Sequence, residues 1–195
     1  MNNNLKQLLA ELEHFGRQND LNATHRNEKM LNITHDTGAF LASLVQSMGA
    51  THILEIGTSN GYSTLWLAHA VAQLGGHITT IERDAAKIEQ AKINFNRAGL
   101  TNHIMQVEAD ATELLVAAKP EIFDIIFLDS DRNAYLDWWL HLRQAVRIGG
   151  VVVVDNATSH AQDMQAFMDT VTADADFSSK LIDIGNGEFM AVRTV

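Results

Sequence analysis

Apolar and polar positions follow two different rhythms along the chain. In the N-terminal part, apolar side chains recur at helical spacing, and the first such set is Leu5, Leu8, Leu9, Leu12 and Phe15. This spacing predicts an amphipathic helix over residues 3–16, followed by a polar loop from Asn19 to Lys29. A second helix is predicted over 36–48, where Gly49 ends it as glycine does at helix C-termini.

From His52 onward, short apolar runs alternate with glycine turns and helical periods. Strands are predicted over 52–56, 77–81, 103–107, 123–128 and 150–154, and helices over 62–74, 84–98, 111–118, 135–146 and 161–173. This alternation implies right-handed crossovers and a mostly parallel sheet. In the tail, residues 180–184 and 188–193 flank an Asn-Gly turn, which is typical of an antiparallel hairpin.

The pattern therefore predicts an α/β fold. We expect a doubly wound, Rossmann-like, mostly parallel sheet with a C-terminal antiparallel β-hairpin and N-terminal helices. We divide the chain into an N-terminal helical extension, residues 1–29, and one α/β domain, residues 30–195.

Composition narrows the possible partners. The chain has 195 residues, 24 acidic against 14 basic, a formal net charge of −10 and no Cys. Without Cys, a disulfide framework, a thiolate zinc site and a catalytic thiol are excluded. The acidic balance disfavours nucleic acid. We found neither a targeting signal nor an apolar run long enough for a membrane span, so we expect a cytoplasmic protein without a membrane partner.

Polar clusters follow each of the five predicted parallel strands. They are 57–63, Glu82, Asp110, 129–132 and 155–156. In doubly wound sheets, ligands bind at the carboxyl ends of the strands, near the point where the strand order reverses. The convergence of these clusters predicts one binding site there.

The first of these turns, Glu55 to Ser63, reads E-I-G-T-S-N-G-Y-S. Gly57 and Gly61 allow a sharp turn and a close approach of the backbone to a ligand. The loop lacks the G-x-G-x-x-G spacing of dinucleotide binders and the Gly-Lys-Ser/Thr of ATP-binding loops. A carboxylate ahead of the loop suits a ligand with an ammonium group, and Glu82 suits a ribose diol.

This turn resembles motif I of class I S-adenosylmethionine-dependent methyltransferases. It is more narrowly similar to the catechol and caffeoyl-CoA O-methyltransferase group. Residues 30–33 with Gly38 resemble the segment that closes over the cofactor in that group, and 123–135 and 149–156 match its metal-site blocks. The resemblance runs from about Met30 to the C-terminus.

The resemblance implies S-adenosylmethionine as cofactor and a divalent cation, usually Mg²⁺. The cofactor-binding positions it implies are Ile33, Glu55, Gly57, Ser59, Gly61, Ser63, Glu82, Arg83, Asp110, Ala111 and Asp129. It implies Asp129, Asp155 and Asn156 as the metal ligands. Carboxylate and amide oxygens are the ligands that hard cations prefer.

One position departs from the family pattern. The family usually has Lys three residues after the first metal-binding Asp, as general base, and this chain has Arg132. Arginine stays protonated in proteins, so it suits a phenolate or an anionic substrate, or it is a surface residue. His160 and His35 are candidate replacements for the base, because histidine titrates near neutrality. We take Asp129, Arg132 and His160 as the predicted catalytic set.

The sequence thus predicts an S-adenosylmethionine-dependent O-methyltransferase, metal-assisted, that acts on a small hydroxylated molecule of catechol-like or phenolic type. The helix at 3–16 makes a homodimer possible. Two alternatives stay open. One is an aminopropyltransferase-like or other nucleotide-dependent Rossmann-like enzyme, and the other is a cofactor-binding module without catalysis.

Overall fold

The computed structural model of the protein describes all residues, 1–195, and contains one seven-stranded sheet. The strands, in chain order, are β1 (His52–Ile56), β2 (His77–Glu82), β3 (Ile104–Glu108), β4 (Phe123–Leu128), β5 (Val146–Val154), β6 (Phe177–Ile182) and β7 (Glu188–Arg193). Their spatial order is β3-β2-β1-β4-β5-β7-β6. The first five are parallel, and β7 runs antiparallel to both β5 and β6. The predicted fold class is confirmed.

Seven helices cover the two faces of this sheet. They are α1 (Asn3–Asn22), α2 (His35–Met48), α3 (Tyr62–Ala72), α4 (Ala85–Ala98), α5 (Ala111–Ala117), α6 (Tyr135–Ala145) and α7 (Ala161–Ala173). Two buried apolar clusters form the core. In one of them, the first four helices pack against one face of the sheet, and in the other the last three helices pack against the opposite face. The central strands β1 and β4 are mostly apolar because both of their faces are buried. None of the helices has the length and apolar character needed to cross a membrane.

The first helix is longer than the sequence predicts. It continues through Asn22 because the polar residues of the expected loop form its last turn and bond to the segment that follows. The Asn19 amide donates to the carbonyl of Glu28 at 2.8 Å, and the Asp20 carboxylate accepts the backbone N–H groups of Met30 and Leu31. The apolar face of α1 is buried within the chain, and its leucines are 2–4% exposed: Leu5, Leu8, Leu9 and Leu12.

Strand β5 also begins earlier than predicted, at Val146. The register between β4 and β5 shifts just after Phe123, and Gly149 takes a left-handed φ of 73° within the irregular part of β5. The predicted strand begins only at Gly150 because Gly149 interrupts the apolar run before it.

The C-terminal hairpin joins the sheet through its second strand, β7, which pairs with β5. β7 lies between β5 and β6, so β6 is the edge strand. The register pairs Val154 of β5 with Phe189 of β7. Glu188, at the start of β7, is consequently a neighbour of Asp155, which directly follows β5.

Candidate active site at the carboxyl edge of the sheet

The strand order reverses between β1 and β4, and the backbone ladder continues past the ends of these strands. The N–H of Asp129 donates to Ile56 at 3.0 Å, and the N–H of Asp155 donates to Leu128 at 3.1 Å. Gly57, Asp129 and Asp155 therefore follow three neighbouring strands in one row. This is the crevice in which doubly wound sheets bind their ligands.

The first turn requires glycine at two positions because neighbouring atoms leave no room for a side chain there. Gly57 has φ of 109°, and a Cβ there would lie 2.1 Å from the carbonyl oxygen of Asp129. Gly61 has φ of 85°, and a Cβ there would lie 2.5 Å from the Phe95 ring. Any side chain would push the loop away from the strand or from α4.

A short segment, residues 30–33, lies over this loop and makes a small cleft with it. The Ser59 hydroxyl donates to the carbonyl of Met30 at 2.7 Å. The cleft is lined by Met30, Leu31, Asn32, Ile33, Gly57, Thr58, Ser59, Asn60, Tyr62, Ser63 and Asp129. The structure thus brings together five of the predicted cofactor positions, which are Ile33, Gly57, Ser59, Ser63 and Asp129.

Two residues that hold this covering segment escaped the sequence analysis. The Asp20 carboxylate accepts from Met30 at 2.7 Å and from Leu31 at 2.9 Å, and Leu31 has a left-handed φ of 50°. The Lys87 ammonium donates to the carbonyl of Lys29 at 2.9 Å. No local signal marks either residue, since their partners are 10 to 58 residues away in sequence.

Glu55 lies beneath the loop and outside the cleft. It is fully buried, and it accepts hydrogen bonds from the hydroxyls of Ser63, Thr64 and Thr80 at 2.5–2.6 Å. Burial raises its pKa to about 7, although these three hydroxyl donors counteract the shift. The carboxyl group therefore ties the start of α3 to β1 and β2.

Other predicted cofactor positions lie on neighbouring strand ends without lining the cleft. The Glu82 carboxylate accepts the N–H groups of Ser59, Arg83 and Asp84 at 2.9–3.1 Å, so it bridges the first two turns. Asp110 is exposed and caps α5, and its hydrogen bonds with Thr112 lower its pKa. The Arg83 side chain is exposed, and Ala111 is buried at the start of α5.

The three predicted metal ligands are in direct contact. The Asn156 amide donates to Asp155 at 2.7 Å and to Asp129 at 3.3 Å. Burial raises the pKa of both aspartates, and the neighbouring Asp155 raises that of Asp129 further. Asn156 takes a left-handed φ of 67°, a conformation that asparagine adopts more readily than most residues.

A third carboxyl group adjoins this cluster and was not predicted. Glu188 is fully buried, accepts from the Thr37 hydroxyl at 2.9 Å, and lies within hydrogen-bonding range of Asp155. Burial, and then the charge of Asp155, raise its pKa. Its partner Thr37 is 151 residues away, so no sequence pattern could have found the contact.

The predicted catalytic side chains flank the acidic cluster. Arg132 is half-buried, and its charge opposes the raised pKa of both Asp129 and Asp155, although it donates no hydrogen bond. His160 precedes α7, contacts the Ser159 hydroxyl at 3.0 Å, and acts on Asp155 in the same direction. His35 instead packs edge-on against Trp66 and lies 3.7 Å from Asp36.

The donor set fits a hard divalent cation in its chemistry. No three His, Cys, Asp or Glu side chains surround a common point in the structure, so the predicted set is two carboxylates and one amide. Asp155 Oδ1 is buried without a hydrogen-bond partner. The two ends of an amide are assigned from their hydrogen bonds, and turning Asn156 over would present an oxygen beside both carboxylates.

The fold and this crevice define an α/β protein whose glycine loop and acidic cluster lie side by side at the switch point. Comparison with known proteins identifies the family of this chain. A model of the O-methyltransferase family matches residues 2–193, almost the whole chain. The protein belongs to the O-methyltransferase family, which confirms the resemblance recognised in the sequence.

Two curated relatives show how far the likeness extends. The chain is 35% identical over 127 residues to a catechol O-methyltransferase from Mycobacterium tuberculosis, covering 64% of this chain and 56% of that one. It is 32% identical over 130 residues to a caffeoyl-CoA O-methyltransferase from Populus kitakamiensis, covering 65% and 55%. The matched part thus spans less than two thirds of either relative.

A solved structure extends the likeness to the whole fold. The O-methyltransferase from Bacillus cereus, described in complex with SAH, superposes with a TM-score of 0.79 and 26% identity. The match covers 96% of this chain and 91% of that one.

Proposed function

We propose that this protein is an S-adenosylmethionine-dependent O-methyltransferase that transfers a methyl group to a hydroxyl of a small, catechol-like or phenolic acceptor, assisted by a divalent cation. The observation that carries the proposal is the contact between Gly57 of the cofactor loop and Asp129 of the acidic cluster. Through this contact, a methyl donor in the loop would lie next to an acceptor bound at the cluster.

The cleft under residues 30–33 would take the methionine end of the cofactor. Gly57 and Ser59 offer backbone close to the ligand, and the start of α3 presents N–H groups suited to a carboxylate. Glu82 lies where a ribose diol would bind, although it now accepts three backbone N–H groups. Asp110 and Ala111, one strand further on, would face the adenine.

Asp129, Asp155 and Asn156 would hold the cation. When bound, a divalent cation would lower the pKa of an acceptor hydroxyl and orient it. The two aspartates are buried beside each other, so a cation would also relieve their repulsion. The Bacillus cereus structure is described in complex with SAH.

Arg132 and His160 would act on the acceptor. The guanidinium cannot take a proton, but it can stabilise a phenolate oxygen or hold an acidic group of the acceptor. His160 is the nearby side chain that can remove a hydroxyl proton. Methyl transfer is an in-line displacement, so alignment of donor and acceptor supplies much of the rate.

Calorimetry with S-adenosylhomocysteine tests the cofactor assignment. We expect binding to the parent protein and none to Gly57→Arg, whose side chain would meet the backbone of Asp129. Absence of binding to the parent would overturn the proposal. Binding without methyl transfer to any member of a phenol panel would indicate the non-catalytic module instead. Transfer from decarboxylated S-adenosylmethionine to a polyamine would indicate the aminopropyltransferase.

The remaining expectations stay predictions. They are the cytoplasmic location, the homodimer and the division at residue 29. For the homodimer, α1 offers less apolar surface than its pattern predicts, because its leucines are buried within the chain.

A further inference from the structure

Gly16 lies inside α1, where a glycine weakens the helix relative to an alanine. Its φ is not left-handed, so the backbone conformation does not require glycine. The space beside it does, because a Cβ there would lie 2.5 Å from Nδ2 of Asn32 in the covering segment, residues 30–33. The glycine therefore leaves a notch in α1 that the Asn32 side chain fills.

The notch fixes the Asn32 amide. Its Nδ2 donates to the carbonyl of Leu12 at 3.0 Å, one turn before Gly16 on the same face of α1. Asp20, one turn after Gly16, accepts two backbone N–H groups of the same segment. One face of α1 therefore carries the covering segment and sets the position of Asn32 within it.

The other end of the Asn32 amide has no partner in the protein. Its Oδ1 is buried and receives no hydrogen bond, and the residue lines the cleft beneath the covering segment. The orientation of the amide follows from its bond to Leu12, because only Nδ2 can donate to a carbonyl. An unpaired buried acceptor costs free energy, and a ligand that donates to it from the cleft would remove that cost.

Asn60 is the counterpart of Asn32 on the glycine loop. It is fully buried and lines the same cleft. Its Oδ1 accepts the N–H of Tyr62 at 3.1 Å, whereas its Nδ2 is buried without an acceptor. The Asn94 amide of α4 donates to the Asn60 carbonyl at 2.9 Å and holds this part of the loop in place. The two walls of the cleft thus offer one free acceptor and one free donor, which complement an ammonium group and a carboxylate.

We propose that Asn32 and Asn60 are further cofactor-binding residues, which recognise the amino-acid end of S-adenosylmethionine. Oδ1 of Asn32 accepts from the ammonium group, and Nδ2 of Asn60 donates to the carboxylate. Gly16 is a positioning residue, because it acts only by seating Asn32. This inference rests on the cofactor of the proposed function, and it adds two side-chain contacts to those that the resemblance implies.

Calorimetry of the full chain with two ligands tests the proposal. S-adenosylhomocysteine has the amino-acid end, whereas methylthioadenosine keeps the adenosine and the sulfur atom without it. We expect Asn32→Ala and Asn60→Asp each to lower the affinity for S-adenosylhomocysteine about tenfold or more and to leave that for methylthioadenosine unchanged. Asn60→Asp keeps the acceptor for Tyr62 and puts a negative charge where the donor was. Asn27→Ala, at an exposed asparagine between α1 and α2, is the control and should change neither affinity.

Gly16→Ala tests the notch separately. In an ordinary helix this change raises stability, but here the added methyl group must displace Asn32. Affinity for S-adenosylhomocysteine should therefore fall as it does in Asn32→Ala, and the double variant should lose no more than Asn32→Ala alone. Ala10→Gly, on the exposed side of α1, should lower the free energy of unfolding and leave the affinity unchanged.

Equal affinity for S-adenosylhomocysteine in the parent, Asn32→Ala and Asn60→Asp would overturn the inference and leave the cofactor assignment intact. An equal loss of both ligands would also overturn it, because the two residues would then support the shape of the cleft and not the amino-acid end. Absence of S-adenosylhomocysteine binding to the parent would overturn the proposed function itself, so the two failures are distinguishable.

Discussion

Gly57 and Asp129 touch through their backbones, and a Cβ on Gly57 would lie 2.1 Å from the Asp129 carbonyl oxygen. Gly57 begins the cofactor loop, and Asp129 begins the acidic cluster. Their strands are adjacent because the order of the sheet reverses between β1 and β4. In the proposed function, the sheet would therefore set the distance between the methyl donor and the acceptor.

Gly57→Ala should abolish S-adenosylhomocysteine binding, because the added methyl group must displace either the loop or β4. Gly75→Ala is a matched control: Gly75 also has a left-handed φ, 74°, but nothing lies within 4 Å of its Cβ position. Both substitutions should lower the free energy of unfolding by about 1–3 kcal/mol through backbone strain. Calorimetry should show that only Gly57→Ala loses the ligand, and equal binding by both would contradict the contact.

Glu55 should make stability fall as pH rises. Burial raises its pKa from the ordinary 4.5 to about 7, so between these values the folded chain binds more protons than the unfolded chain. Stability from this group is fully present below pH 4.5 and is lost as pH rises through 7, by at most about 3 kcal/mol.

Denaturant unfolding at a series of pH values checks this expectation. The stability of the parent should decline more steeply between pH 4.5 and 7 than that of Glu55→Gln, which keeps the shape and cannot titrate. Parallel curves for the two proteins would show that Glu55 does not titrate in this range.

Asp20 should control how long the cofactor stays bound. Its carboxylate holds the N–H groups of Met30 and Leu31, and through them the segment over the cleft. Asp20→Ala removes both bonds, so S-adenosylhomocysteine should dissociate about tenfold faster, as expected for the loss of 1.4 kcal/mol or more from two charged hydrogen bonds. Stopped-flow displacement measures this rate. Glu13→Ala, an acid of the same helix in a surface pair with Arg17, should leave it unchanged.

Two variants, His160→Gln and His35→Gln, distinguish between the two candidate bases. His160 is beside Asp155, whereas His35 packs against Trp66. His160→Gln should lower kcat about a hundredfold and flatten the pH–rate profile near neutrality, with no change in S-adenosylhomocysteine affinity. His35→Gln should leave the profile as it is. The reverse pattern, or no effect of either, would exclude His160 as the base.

Much of the fold and site was predictable because the polar site residues directly follow the parallel strands in the sequence. The five parallel strands and the Asn-Gly hairpin could be recognised from local periodicity, and with them Gly57, Asp129 and Asp155. Asp20 and Glu188 could not, since each acts on residues that only the tertiary fold brings near. The insertion of β7 beside β5 puts Glu188 in the interior, whereas the hairpin pattern alone leaves either strand at the edge.

Transfer of a labelled methyl group from S-adenosylmethionine to catechol, in the presence of Mg²⁺ and again with excess chelator, tests the central claim most directly. We predict a monomethylated product with Mg²⁺, a strong loss of that product with chelator, and the same loss in Asp155→Ala. Product formation that ignores both chelator and Asp155→Ala would remove the cation from the mechanism. Absence of product from catechol and from every phenol of a broad panel, by a protein that binds S-adenosylhomocysteine, would contradict the proposed O-methyl transfer itself.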